Sequence, residues 1–421
     1  MKVLLGAVAD DFTGATDLAN MLARAGMRTV LALGRPGEGD PVPETEAVVV
    51  ALKSRTAPVA EAVGDSVASW RWLAAAGAEQ CCFKYCSTFD STQEGNIGPV
   101  SLALMAETGA DFTVYCPAFP EAGRTIYQGN LFVFDQPLHE SPLKDHPLTP
   151  MTDANLARWL GPQVGGEAVS LIGYADVDAG AAAIRARMDA LRAEGVRHAV
   201  VDALTDAHLE ALGAACAGMP FVTAGSGLGL GLPGNFARAG QLAGGRADAL
   251  PEIGGDAVLL SGSCSAATNA QVARWEADGG ALRRLDPLDL AEGAETIDKI
   301  WDWMAAQDGP ALAAATAPPD AVKAAQAKLG VEGAARIVED TLSGVALRAR
   351  EAGVRRFIVA GGETSGAVAS ALGVERLAVG PQIAPGVPWC ATIADAPVAL
   401  ALKSGNFGAE TFFADALETA P

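Results

Sequence analysis

Apolar runs of strand length alternate with helical patterns along nearly the whole chain, and that alternation limits the fold more than any other feature. Parallel neighbouring strands need crossover connections, so a βα repeat implies mainly parallel sheets with helices on their faces. In the first half, strands are expected at 2–9, 28–33, 46–51, 80–85, 111–116, 167–172, 198–202 and 220–224. Helices are expected at 14–26, 59–76, 97–109, 178–194 and 205–217. Residues 117–150 interrupt the rhythm with Pro117, Pro120, Pro137, Pro142, Pro147 and Pro150 among aromatics, which predicts an ordered excursion with a hairpin near 125–134. A long loop in a compact domain is usually functional or interfacial.

A chain of 421 residues is long for one core, and two domains are expected. The stretch 237–257, "ARAGQLAGGRADALPEIGGDA", is rich in Gly and Ala and poor in large apolar residues. It divides the chain into a domain at 1–237, a linker at 238–256 and a domain at 257–421. The second domain repeats the α/β pattern, with strands near 257–261, 281–285, 311–315, 356–360 and 398–402 and helices near 265–277, 320–328 and 332–352. The expected fold is two α/β domains, each a mainly parallel sheet flanked by helices. Ligands would sit at the carboxyl ends of the strands, in the cleft between the domains.

The formal charge of −20 argues against nucleic acid or an anionic membrane as partner. No apolar run reaches the ~18–20 residues of a membrane span. Met1-Lys2 leads straight into a strand-like run with no cleavage site, so a cytoplasmic protein is expected. Seven cysteines without paired spacing and four histidines offer no disulfide or zinc framework. Reduced, mostly buried thiols are expected.

Four groups in the first half carry chemistry. "VADDFTGATDLAN" (8–20) places Asp10 and Asp11 where a strand ends and a helix starts. One cap residue suffices for a helix, so the second acid is left for another task. "LKSRT" supplies Lys53, Ser54 and Arg55 at another strand end, and "KYCSTFDST" supplies Lys84, Ser87, Thr88 and Asp90 at a third. Arg124-Thr125 lies in the excursion, and Asn96 stands at a helix start. Cations and hydroxyls beside two acids suit an anionic polyol, with Arg forking a carboxylate and the other groups taking sugar hydroxyls. "GSGLGLGLPGN" (225–235) lacks the acidic residue a dinucleotide site requires and is read as a tight strand-to-helix turn.

The second half offers three glycine-bearing strand ends: "LLSGSCSAATNAQV" (259–272), "IVAGGETSGAVASAL" (358–372) and "LALKSGNFG" (400–408). Their backbone N–H groups suit a phosphate-rich ligand, and none is a GxxxxGK[ST] P-loop.

"ADDFTGATD", "SGSCSAATN", "AGGETSGAV" and "KSGNFG" together resemble the four-carbon acid sugar kinase family, in its order and spacing and over essentially the whole chain. "KYCSTFDST…GNIGPV" and "YCPAFPEAGRTIYQGNLFV" are most similar to its 3-oxo-tetronate kinase branch. Phe89-Asp90 stands where threonate- and erythronate-acting relatives more often carry Leu-Arg. The resemblance implies a sugar-acid site in the first domain, where the strand-end residues Ser54, Arg55, Lys84, Ser87, Thr88, Asn96 and Arg124 are the expected contacts. It implies ATP in the second, at Ser261 or Ser263, Gly361, Gly362, Glu363, Thr364 and Gly405. Phosphoryl transfer to the C4 hydroxyl of 3-oxo-tetronate would follow, with one of Asp10 and Asp11 taking the proton. Mg²⁺ is expected with the ATP, with no ligand set legible. D-threonate or D-erythronate is the alternative substrate, and a sugar-acid binding protein without catalysis is the alternative class. Partners are the sugar acid and ATP, with self-association left open.

Overall fold

The computed structural model describes residues 2–37, 39–146 and 148–421; the Pro147 of the excursion lies outside them. The chain divides into two compact units, Met1–Asp248 and Ala249–Pro421.

Eight parallel strands form the main sheet of the first unit. From one edge they run Thr29–Leu33, Ala47–Ala51, Leu5–Ala9, Gln80–Lys84, Phe221–Ala224, Thr113–Cys116, His198–Val201 and Val169–Ile172. Five of them match their expected positions to within a residue or so at each end, because buried parallel strands are continuous Val, Ala and Ile runs with sharp ends. The helix Phe12–Arg24 follows the first strand and packs over Ala47–Ala51 and Thr29–Leu33, to one side. The helix Ile97–Thr108 follows Gln80–Lys84 and packs toward Phe221–Ala224, to the other. The connections therefore diverge between the ends of Leu5–Ala9 and Gln80–Lys84, where open α/β sheets bind ligands. Register puts Ala9 opposite both Ala51 and Lys84, so the turns after these three strands emerge side by side.

The helix expected at 178–194 is Ala181–Ala193, and a further short helix, Tyr174–Asp178, precedes it across a turn at Gly180 with φ 92°. The excursion folds as a three-stranded antiparallel sheet, Arg124–Tyr127, Asn130–Val133 and Gln136–Pro137, followed by short 3₁₀ turns. Buried Asp202 pins its hairpin by accepting from the N–H groups of Gln128 and Gly129, and it also accepts from Tyr174 at the next helix start. The glycines of 225–234 serve packing: a Cβ at Gly229 would press on Leu18 and Met21, and Gly213 and Gly231 meet backbone to backbone.

The second unit carries seven strands in the order Ala281–Arg284, Ala311–Ala314, Ala257–Ser261, Arg356–Ala360, Ala399–Lys403, Val387–Thr392 and Arg376–Ala384. The first five are parallel and the last two antiparallel. The last two were not expected from the sequence, and Gly380-Pro381 and Pro388 lie within them. The hairpin accommodates them with register shifts between Val379 and Ala384, the usual place for proline in a sheet. Ser261 lies opposite Ala314 and Ala360, and Ala360 opposite Lys403, so three glycine-bearing turns leave one sheet edge together. Beneath them Trp389, Phe412, Phe413, Leu259 and Ile358 form one buried core. All seven cysteines are unpaired, and five are buried.

Candidate active site

At the first unit's strand ends the two acids hold one guanidinium. Arg55 donates from Nε and Nη2 to the two Asp10 oxygens, both at 2.9 Å, and from Nη2 to Asp11 Oδ1 at 2.6 Å. Asp90 Oδ2 lies 3.9 Å from Arg55 Nη1. The fork that sequence reasoning reserved for a substrate carboxylate is thus occupied by the chain's own acids, and only the Nη1 side remains turned elsewhere. Backbone geometry enforces this, since the Asp10 carbonyl accepts from the N–H groups of Ser54 and Arg55.

The two acids differ. Asp10 is buried, and burial pushes its carboxyl up despite Arg55, with the neighbouring Asp11 charge adding to the rise. Asp11 keeps about a quarter of its side chain exposed, at 26%. Arg55, then Lys84 at 3.7 Å and the Thr13 hydroxyl at 2.9 Å, outweigh its burial and hold it well below the usual carboxylate range. Adjacent acids sharing cations separate in this way. Asp11 occupies the N-cap position of Phe12–Arg24; Oδ1 accepts from Arg55 and Oδ2 from Thr13, and it is the exposed quarter of the side chain that a ligand can reach.

Lys84 is buried, and its ammonium lies against Gly14. A Cβ at Gly14 would collide with Lys84 Nζ and Asp11 Oδ1, so only glycine lets both groups close on the helix start. One turn further on, buried Asp17 accepts from the Ser226 hydroxyl through Oδ2, while Oδ1 has no hydrogen-bond partner. Burial lifts the Asp17 carboxyl to about 6, against the pull of Lys84 and the Ser226 bond. Gly14 and Asp17 were not singled out as site residues from sequence. The signal was the spacing of 11, 14 and 17, which puts three positions on one helix face.

The other residues divide. Asn96 donates to the carbonyls of Ser54, Arg55 and Ala57 at 2.8, 3.3 and 2.9 Å, so its amide shapes the loop that carries Arg55. Ser54 is buried in that loop. Thr88 donates to Asp90 at 2.7 Å and Ser87 is half-buried beside it. This turn contains Phe89 at φ 57°, buried against Tyr85, a conformation that costs a bulky residue energy and needs its surroundings to hold it. Arg124 is not brought into the cluster: its Nη1 donates to the Ala122 carbonyl and its guanidinium lies 5.6 Å from the Phe134 ring centre.

The second unit's strand ends use backbone and hydroxyls. Ser261 is buried and bonds Thr316 at 2.6 Å, so its hydroxyl faces inward. Ser263 faces Gly361 and Gly405, since a Cβ at either would press on it. Gly361 has φ 126° and precedes the helix Gly362–Ala371, a conformation open to glycine alone. Of that helix's first residues, Glu363 is exposed and Thr364 buried. The Gly405 carbonyl accepts from Ser265 Oγ at 2.6 Å, Thr268 Oγ1 at 2.8 Å and Lys403 Nζ at 3.1 Å.

A cavity of about 780 Å³ opens instead beside Val3, Arg35, Asp40, Arg71 and Trp72. Val3 precedes the strand Leu5–Ala9, so this cavity lies at the amino ends of the strands, away from the acids. Among the described residues, no three His, Cys, Asp or Glu side chains gather as a metal cage, and no helix is long and apolar enough to cross a membrane.

Comparison with known proteins fits this division of labour. Residues 5–232 match the family model of a sugar-binding N-terminal domain, and residues 258–413 that of a nucleotide-binding C-terminal domain. A 3-oxo-tetronate kinase of Burkholderia multivorans is 56% identical over 99% of this chain and 97% of its own. One of Cupriavidus necator is 55% identical over the same shares. A solved Salmonella typhimurium LT2 protein superposes with a TM-score of 0.88 at 43% identity, covering 99% of both chains. Haemophilus influenzae protein HI1011 does so with 0.82 at 43% identity, covering 98% of this chain and 99% of that one. The fold is therefore that of an ATP-dependent sugar-acid kinase. The chain belongs to the four-carbon acid sugar kinase family.

Proposed function

We propose that this protein transfers the γ-phosphoryl group of ATP to the C4 hydroxyl of 3-oxo-tetronate, and that Asp11 is the carboxylate that meets that hydroxyl. The carrying observation for the substrate is the name of relatives more than half identical along nearly the entire chain. For Asp11 it is the pairing of exposure with charge, since Asp10 is buried behind Arg55 while Asp11 stays ionised and reachable.

Phosphoryl transfer runs mainly on positioning and charge neutralisation, so a weakly basic carboxylate serves if it aligns the nucleophile. Asp11 Oδ2 would accept the hydroxyl proton as that oxygen bonds to the γ-phosphorus and the bond from the γ-phosphorus to the bridging oxygen breaks, releasing ADP. Asp10, through two bonds to Arg55, positions the guanidinium, and Lys84 neutralises charge around Asp11. Ser87 and Thr88 would supply hydroxyls from the turn that carries Asp90 toward Arg55, and Arg124 is left outside the substrate contacts. ATP would lie on the turns at Ser263, Gly361–Thr364 and Gly405. Mg²⁺ would arrive with the triphosphate, because the described side chains form no cage for it and Mg²⁺ commonly keeps waters and substrate phosphates as ligands.

The test is incubation of the protein with ATP, Mg²⁺ and 3-oxo-tetronate, D-threonate or D-erythronate in turn, with the phosphorylated product located by ³¹P and ¹³C NMR. A 4-phosphate from 3-oxo-tetronate alone is expected. Preferred turnover of either reduced acid, or none of all three, would sink the proposal.

A further inference from the structure

Lys403 ends its strand with no side-chain exposure, and its ammonium finds only neutral oxygens. It donates to Thr268 Oγ1 at 3.0 Å and to the carbonyls of Ser404 and Gly405, both at 3.1 Å. The Phe412 ring lies 5.5 Å below it. Among the described residues it makes no ion pair. Charged groups on the surrounding elements are engaged or turned outward: Arg274 pairs with Asp278, Arg284 with Glu276, Asp415 accepts from Thr411, and Glu363 and Glu410 are exposed. On the neighbouring strand, burial pushes the Cys390 thiol up to about 12. A buried cation without a counter-ion is costly. A chain with 50 acidic residues has left this one unpaired.

We propose that Lys403 is a positioning residue of the nucleotide site, whose counter-ion is the polyphosphate of the bound nucleotide. The inference rests on the placement of ATP at these turns. Lys403 acts from one layer beneath, through the Gly405 carbonyl and the Thr268 hydroxyl at the start of the helix Ala266–Ala277. Gly405 packs so closely on Ser263 and Ser265 that no Cβ would fit between them, and Gly361 lies against Ser263, so the carbonyl that Lys403 holds belongs to a turn in contact with the other two.

Burial alone lowers the Lys403 amine to about 7, so near pH 8 most of it is neutral in the free protein. One phosphate charge about 6 Å away, at an effective dielectric of about 20, suffices to favour the ammonium a hundredfold. ATP binding should then draw one proton from solution onto Lys403 Nζ. The triphosphate is fully ionised at this pH and contact with a cation keeps it so, so the proton comes from solvent.

The experiment is calorimetric titration of the full-length protein with Mg²⁺ and ATP at pH 8, in two buffers of different ionisation enthalpy. Wild type should take up about half a proton or more per ATP bound. Lys403→Met should lose that uptake and bind ATP roughly tenfold or more weakly, as an interaction with a charged group is removed. Lys403→Arg, always charged, should recover affinity without uptake. ATP binding by wild type with no proton uptake would overturn the inference and leave the nucleotide site standing. That measurement needs no variant to fold. Absence of ATP binding by wild type would overturn the nucleotide site and the inference together.

Discussion

The strand ends of the first unit carry their chemistry in side chains, and those of the second carry it in backbone. Asp10, Asp11, Arg55, Lys84 and Asp90 converge within ion-pairing distance of one another, whereas Ser263, Gly361 and Gly405 meet through backbone and hydroxyls, with Lys403 beneath them. A small polyol acid has few atoms, so discrimination needs directed forks and hydroxyls. A triphosphate has many equivalent oxygens, and closely spaced N–H groups at strand-to-helix turns serve it with no side chain in the way. If this division is right, substitutions in the two clusters should fail in different measurements.

The largest effect is expected at Asp11. Asp11→Asn should lower kcat about 10²–10⁴-fold, the usual contribution of a positioned proton acceptor, while ATP affinity by calorimetry stays within twofold. Asp10→Asn should instead raise KM for the sugar acid, because Arg55 loses the acid that orients it. Equal losses of kcat in both variants with KM unchanged would mean that the acids act as one unit and that Asp11 has no separate role.

Much of this was legible beforehand because parallel α/β folds announce themselves. Strand-length apolar runs mark the sheet, the ends of those runs mark the site, and Asp10, Asp11, Arg55 and Lys84 each stand within a few residues of such an end. What sequence could not supply was pairing. Nothing in "LKSRT" says that Arg55 turns back onto Asp10, or that Asn96 reaches across to its loop. Arg124 looked similar on paper, yet the hairpin holds it against Phe134. The importance of Lys403 was hidden for a related reason, since burial without a partner is a property of packing and leaves no trace in a motif.

Gly405→Ala and Gly14→Ala break the two clusters in matched fashion. A Cβ at Gly405 would press on Ser263 and Ser265, and the variant should weaken ATP binding roughly tenfold, an overpacking cost of about 1–3 kcal/mol, with KM for the sugar acid unchanged. At Gly14 a Cβ would push Lys84 and Asp11 apart, so KM for the acid should rise by about as much with ATP affinity intact. Both variants must first melt cooperatively near wild type. A crossed result, with Gly405→Ala raising KM for the acid alone, would reverse the assignment of ligands to units.

The smallest expected effect concerns stability, and there the two clusters should respond to pH with opposite sign. Asp17 is lifted to about 6 from an ordinary value of 3.8, so between these values the folded chain holds more protons than the unfolded one. Stability from this group therefore falls as pH rises through that window, and the cost is complete above about pH 6. Lys403 is lowered to about 7 from 10.5. Its folded form holds fewer protons, so its cost is complete below about pH 7 and fades as pH rises toward 10.5. Asp17→Asn keeps an acceptor for Ser226 and removes the buried charge, and it should raise Tm by a few degrees at pH 8, for about 1–3 kcal/mol. At pH 4 it should change Tm little. Lys403→Met should show its gain at pH 6 and lose it by pH 10. No gain in Asp17→Asn at pH 8, or a loss, would mean that Asp17 is paired more fully than its bare Oδ1 indicates, most directly by Lys84 swinging from Asp11 to Asp17, and the cation would then belong to the helix and not to the sugar acid.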